Sequence, residues 1–239
     1  MLIKYISTLK KFLLDILFPC FCLNCKKQGT YLCQDCQALI EILEYQFCPV
    51  CDRIAMNGKT CNSCQKKTNL EGLYFAISYS HPLAKKIIHQ FKYQPFIKEL
   101  AQPLANLIIN HFLILNKDIN WTQFKLVSIP LNKKKIRWRG FNQSQEITQY
   151  ISRFFKVPIL NNALVRSKAN IPQIKIKDFN ARKENIKGVF SCQNPEIIKN
   201  QKILLVDDVF TTGATMEEGA QVLKKAGAKE VWGIVIARG

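Results

Sequence analysis

The chain has 239 residues, 48% hydrophobic and 22% charged, which suits one cored domain with a small satellite. Lys and Arg number 35 against 17 Asp and Glu, a formal charge of +18, which favours nucleic acid, phosphorylated ligands or an anionic membrane as partner. Lysine enrichment from a biased coding genome is the plainer explanation of the same number. No run approaches 18 uncharged apolar residues, which excludes a stable membrane span.

In chain order, residues 1–19 read as a helix, because Leu9, Phe12, Leu13, Ile16 and Leu17 recur at helical spacing. Asp15 interrupts the apolar stretch and no small-residue cleavage site follows, so a signal peptide is disfavoured. Docking onto the protein body is expected over peripheral membrane contact.

Residues 20–70 form a cysteine module. Nine of ten cysteines fall between Cys20 and Cys64, as the knuckles Cys22/Cys25, Cys33/Cys36, Cys48/Cys51 and Cys61/Cys64. A CxxC turn converges two thiolates on one tetrahedral ion, and two turns close a structural zinc site with no open position. This favours two structural Zn2+ ions over disulfides and sets the chain in a reducing cytosol. The simplest pairing is Cys22, Cys25, Cys33, Cys36 on one ion and Cys48, Cys51, Cys61, Cys64 on the other. An interleaved pairing, or one using Cys20, stays open. Eight thiolates and two dications lower the formal +18 to about +14, still far from neutral.

Residues 71–239 alternate strand and helix patterns. Tyr74–Ser80 reads as a strand, Leu83–Phe91 and Phe96–Phe112 as helices, and Lys125–Pro130 as a short buried strand. Asn142–Phe155 is helical, Ile203–Val206 is the most apolar strand, Thr215–Ala226 its following helix, and Val231–Ala237 a last strand. Thr215 and Glu218 have capping-box spacing, and Gly227 suits a helix stop. The alternation predicts an α/β fold, a mostly parallel sheet flanked by helices, with ligands at strand carboxyl ends.

The chemistry concentrates in ILLVDDVFTTGAT, Ile203–Thr215. Asp207 and Asp208 follow the apolar strand, and the turn to Thr215 offers backbone N–H groups, three threonine hydroxyls and Gly213 at a helix N-terminus. Such a turn suits a phosphate monoester, and carboxylates beside it accept hydrogen bonds from sugar hydroxyls. A phosphorylated sugar is the ligand class these residues predict; a merely capped turn with solvated aspartates is the alternative. A second cluster, Lys133, Lys134, Lys135, Arg137 and Arg139, lies beyond a strand end without an acid among it. It suits pyrophosphate or a nucleic-acid backbone, with Trp138 and Phe141 as stacking surfaces. A solvated charge cluster over a packed Trp138 is the alternative. Arg139 has the guanidinium geometry for bidentate phosphate contact, and Gly140 allows close backbone approach. Arg166–Lys183 carries Lys168, Lys175, Lys177 and Arg182 against Asp178, and reads as a lid or a surface hairpin. His81, His89 and His111 form no triad or metal motif.

The Ile203–Thr215 string resembles the phosphoribosyl-pyrophosphate motif of type I phosphoribosyltransferases. That resemblance assigns Asp207 and Asp208 to the ribose hydroxyls, and Thr211, Thr212, Gly213, Ala214 and Thr215 to the 5′-phosphate. With the knuckles, Phe91–Tyr93, Pro130–Ser144 and the terminal Ala237–Arg238, the chain resembles the ComF family, the competence-associated amidophosphoribosyltransferase-like proteins. Arg166, Gln173, Arg182, Asn185, Gly188 and Phe190 fit that family's later basic loop, whose usual threonine is Asn170 here. The resemblance implies a cytoplasmic role in DNA uptake and natural transformation, possible contacts with uptake-machinery proteins at the inner membrane face, and single-stranded DNA as ligand. If transfer chemistry persists, Mg2+ accompanies phosphoribosyl pyrophosphate, Asp207, Asp208, Arg139 and Arg182 form the catalytic set, and Lys133–Arg139 with Lys175 and Lys177 hold nucleic acid. A non-catalytic nucleic-acid adaptor with a relict site, and a salvage or biosynthetic transferase, are the competing readings.

Overall fold

The structure, a computed structural model, describes residues 19–115, 119–166 and 186–239. The expected N-terminal helix lies outside them but for its last residue, as do Lys168, Asn170, Gln173, Lys175, Lys177, Asp178, Arg182, Lys183 and Asn185. Two compact units divide between Glu41 and Ile42.

In the first unit, Phe21 bridges Gln28 antiparallel across a turn in which Lys26 takes φ +67°. A short helix, α1 (Gln34–Ala38), begins at Cys33, whose Sγ accepts the Cys36 amide at 3.4 Å. Leu32 and Ile40 are its only buried residues besides cysteines among those described. So thin a core leaves metal ligation as the main source of stability.

The second unit opens by repeating that motif. Phe47 bridges Ile54 antiparallel, with Asp52 at φ +57° in the turn. There follow β1 (Gly72–Ser78), α2 (Pro82–Lys92), α3 (Ala101–Ile114), β2 (Phe124–Ser128), α4 (Lys133–Arg139) and α5 (Gln143–Phe155). The chain continues through β3 (Leu164–Arg166), β4 (Phe190–Cys192), β5 (Lys202–Phe210), α6 (Ala214–Lys225) and β6 (Glu230–Arg238). Four strands make one parallel sheet in the order β1-β6-β5-β2, and β3 pairs with β4 antiparallel. The α/β fold expected from the alternation is the fold observed.

Local chemistry sets the element ends. His81 Nδ1 accepts the Ala84 amide to start α2, with Pro82 at the first helical position. Phe96 takes φ +57°, which no α-helix tolerates, so the helix expected from Phe96 begins only at Ala101 after a 3-10 turn. Asn132 Oδ1 accepts the Lys134 amide at 2.8 Å and starts α4, which gathers the basic run into a helix. Gly140, at φ +86°, ends it by donating its amide to Ile136 O.

Helices α3 and α5 cover one face of the sheet, and α6 with the β3–β4 pair covers the other. Ile203, Leu205, Val231 and Val235 meet Met216, Ala220 and Leu223 of α6 in a continuous core. Each such side chain contributes about 1.5–3 kcal/mol by leaving water. Covering both faces explains the near-continuous apolar run of β5. Its carboxyl end therefore opens at the sheet edge above α6, where the site forms.

Candidate functional site

Strand β5 does not end at Val206 as expected. Asp207 pairs in register with Val235, Val209 with Ala237 and Phe210 with Arg238, so pairing with β6 carries both aspartates inside the strand. They are fixed by the sheet rather than by a loop. Asp208 is buried and takes an ion pair from Lys92 Nζ at 2.7 Å. Asp207 Oδ1 accepts the Ser144 hydroxyl at 2.7 Å and the Asp208 amide at 2.9 Å. Burial, then the Asp208 charge, push the Asp207 carboxyl up to about 7, against the pull of Lys92 and the two hydrogen bonds. Burial works against the charge on Lys92, but the two carboxylates outweigh it and hold that amine above its ordinary value.

A cleft of about 390 Å3 lies over this pair, lined by Tyr79, Lys92, Tyr93 and every residue from Asp207 to Met216. Gly213, at φ +73°, is the N-cap of α6, so the helix begins at Ala214 and its positive end faces the cleft. An earlier start than expected also undoes the anticipated capping box. Glu218 is buried and accepts the Gly188 amide at 2.7 Å instead of reaching the Thr215 turn. Thr211, Thr212, Gly213, Ala214 and Thr215 thus line one cleft with Asp207 and Asp208.

Cations surround the acids. On α4, Lys135 and Arg139 are four residues apart and share a helix face. Desolvation, then the charges of Arg166, Arg139 and Lys92, lower the Lys135 amine, and Asp208 opposes this. Burial likewise lowers Arg139 against Asp208 and Tyr93, and lowers Arg166 against Asp207. The Nε atoms of Arg139 and Arg166 are buried without a hydrogen-bond partner. Lys92 pairs with Asp208 in the cleft, and the charges of Lys135, Arg139 and Arg166 also act on the two carboxylates, an excess that suits an anion with several charges. Lys135 is nonetheless exposed, as are Lys133, Lys134 and Arg137 on the same helix. Trp138 is 59% exposed and meets the Phe96 ring edge-on at 4.6 Å, rather than being packed beneath the charges. Phe141 is buried against Phe91 at 5.4 Å, so it is no stacking surface. Arg182, Lys175 and Lys177 lie outside the described residues.

Lys92 and Ser144 carry no sequence signal of their own as site residues, and Arg166, expected only in the later basic loop, acts on Asp207. Lys92 carried only a surface charge in the helix pattern, and its partner lies 116 positions away. The string Phe141–Ser144 supplies three side-chain hydrogen bonds to distant segments. Asn142 Nδ2 donates to Ile129 O, Gln143 Nε2 to Phe91 O, and Ser144 Oγ to Asp207.

The cysteines resolve the pairing. The sulfurs of Cys22, Cys25, Cys33 and Cys36 all lie within 4.8 Å of one another, and so do those of Cys48, Cys51, Cys61 and Cys64. The closest pairs, Cys25–Cys33 at 3.5 Å and Cys51–Cys61 at 3.6 Å, approach the edge of about 3.8 Å that tetrahedral Zn–S bonds require. Each set of four thiolates is grouped as a structural zinc site requires. The interleaved arrangement does not occur, and Cys20 stands outside the first set.

The family described as double zinc ribbon domain matches residues 13–65, and the phosphoribosyl transferase domain matches residues 103–239. DNA utilization protein YhgH of Escherichia coli K12 is 30% identical over 220 residues, covering 84% of this chain and 95% of its own. Competence protein F of Haemophilus influenzae is 30% identical over 236 residues, 90% and 96% of the two chains. Competence protein ComFC of Streptococcus pneumoniae is 26% identical over 214 residues, 86% and 87%. Among the described residues no helix is long and apolar enough to cross a membrane.

Proposed function

Because the chain belongs to the ComF family, a double zinc ribbon joined to a phosphoribosyltransferase domain, we propose that it serves DNA uptake or utilisation by binding phosphoribosyl pyrophosphate and single-stranded DNA. The observation that carries the reading is the cleft itself. Two strand-borne carboxylates and Lys92 line it beside the N-terminus of α6, and the charges of Lys135, Arg139 and Arg166 act on the same pair.

In this reading the carboxylates of Asp207 and Asp208 accept the ribose hydroxyls, and the turn Thr211–Thr215 receives the 5′-phosphate. Mg2+ arrives with the ligand and offsets the charge of its pyrophosphate. Lys135, Arg139 and Arg166 sit where a departing pyrophosphate gains most from fixed positive charge. Transfer of phosphoribose to an acceptor is a further step of the same reading. Single-stranded DNA lies along α4, with Lys133, Lys134 and Arg137 on phosphates and Trp138 against a base. The role sets the protein in the cytoplasm, alongside uptake proteins at the inner face of the membrane.

The test is calorimetric titration of the zinc-loaded chain with phosphoribosyl pyrophosphate and Mg2+, repeated with Asp207→Asn/Asp208→Asn. Saturable binding that the double variant loses is expected. Absence of saturation, or equal affinity in the variant, overturns the site. Fluorescence anisotropy of labelled oligo(dT), with and without phosphoribosyl pyrophosphate, separates one shared site from two. Pyrophosphate release upon adding candidate acceptors separates transferase from adaptor.

A further inference from the structure

The second zinc ribbon and the turn Phe210–Thr215 are joined by two braces. The first is Arg238, the penultimate residue. Its side chain is 11% exposed and its guanidinium lies 5.9, 5.5 and 5.5 Å from the ring centres of Phe47, Phe75 and Phe210. A cation so enclosed needs acceptors. Nη1 donates to Phe47 O at 3.3 Å, Nη2 to Cys48 O at 3.1 Å, and Nη2 also meets Asp52 Oδ1. All three acceptors belong to the first knuckle of the second ribbon, and Cys48 is a ligand in it. Phe210, on the other side of Arg238, has its ring under the turn: a Cβ on Gly213 would stand 2.5 Å from Phe210 Cζ. The Gly239 amide also donates to Phe210 O at 2.9 Å.

The second brace grips the far side of the turn. Glu217, in the first turn of α6, accepts the Asn69 amide at 3.0 Å, Asn69 Nδ2 at 2.6 Å and the Thr68 hydroxyl. Thr68 and Asn69 follow shortly after Cys64, the last ligand. Between the braces, Pro49 and Val50 of the knuckle face Phe210 and Gly213 across a cavity of about 140 Å3. The turn is held at both ends by residues whose own positions depend on the thiolate cage.

We propose that the second zinc ion sets the order of the phosphate turn through Arg238 and Glu217, and that ligand in the turn raises the affinity for this ion in return. Linkage requires the reciprocity: whatever affinity the ion confers on the ligand, the ligand confers on the ion. The ligand half rests on the reading of Thr211–Thr215 as a phosphate site; the brace does not.

Hydrogen exchange of the full zinc-loaded chain tests it, following peptides over 209–216 with α5 as internal reference. Cys61→Ser and Arg238→Met should raise exchange in 209–216 by about tenfold, and Asp52→Ala by about threefold, with α5 unchanged. If the first two variants expose α5 as well, Asp52→Ala decides, because that carboxylate is 80% exposed and its removal spares the core. Unchanged exchange at 209–216 in Asp52→Ala and in any folded member of the other two overturns the brace. Equilibrium competition for zinc with a chelator completes the test: phosphoribosyl pyrophosphate with Mg2+ should raise the affinity of one of the two equivalents severalfold. Ligand binding with no change in zinc affinity overturns the coupling. If the wild-type chain binds no phosphoribosyl pyrophosphate, the ligand reading fails while the exchange data still judge the brace.

Discussion

Replacing Asp207 with Asn should stabilise the protein while removing its ligand. The native carboxyl titrates at about 7, against an ordinary value of 3.8. The folded state therefore keeps a proton that the unfolded chain releases, and stability from this group is full below about pH 4 and lost as pH rises through 7. At about 1.4 kcal/mol per pH unit, the burden well above pH 7 is about 4 kcal/mol. Asp207→Asn removes the titration and keeps an acceptor for the Ser144 hydroxyl. Urea unfolding of both proteins in zinc-replete buffer at pH 5, 6, 7 and 8 gives the comparison. Proton competition at the thiolates affects both alike and cancels in the difference. The variant's advantage should grow by about 2–3 kcal/mol between pH 5 and 8. An advantage that stays flat, or shrinks as pH rises, refutes the claim that Asp207 is held by burial beside a like charge.

Three further outcomes follow from the same geometry. Lys92→Met leaves the Asp208 carboxylate buried and unpaired, and should cost about 3 kcal/mol by urea unfolding at pH 7, with Lys92→Met/Asp208→Asn recovering most of it. Gly213→Ala sets a Cβ against Phe210 at φ +73° and should cost about 1–2 kcal/mol in thermal unfolding and abolish calorimetric ligand binding; unchanged affinity would contradict the role of the turn. Lys133→Ala/Lys134→Ala/Arg137→Ala should reduce the salt slope of oligo(dT) binding by about 2, and an unchanged slope would place the DNA elsewhere.

The four strands of the parallel sheet, the long helices and the eight thiolates were legible in the chain because each rests on a local regularity: apolar runs, helical spacing, CxxC turns; the three-residue strands β3 and β4 are too short to show one. Helix α4 was not, since none of its residues is buried and KKKIRWR offers no apolar periodicity to read. Nor was the length of β5, because Asp207 and Asp208 become strand residues only by pairing with β6, an element that starts more than twenty positions later. Glu218 illustrates competition between local and tertiary partners: its spacing from Thr215 suits a cap, yet the Gly188 amide holds it. The acids of the site were found from their neighbours in sequence. The groups that set their charge, Lys92 and Ser144, approach from 116 and 63 positions away, where no spacing rule reaches.

The tetrapeptide Phe141–Ser144 acts as a splice. Its members fasten to the end of α2, to the segment after β2 and to β5, across separations of 52, 13 and 63 positions. No two of these segments can be brought together early in folding without the closure of long loops. The acidic floor of the cleft is therefore complete only when all three segments are in place. A ligand that needs Asp207 in place sees only the finished molecule. Its binding energy therefore adds to the stability of the whole second unit rather than of one loop, and occupancy of the cleft reports that folding is complete.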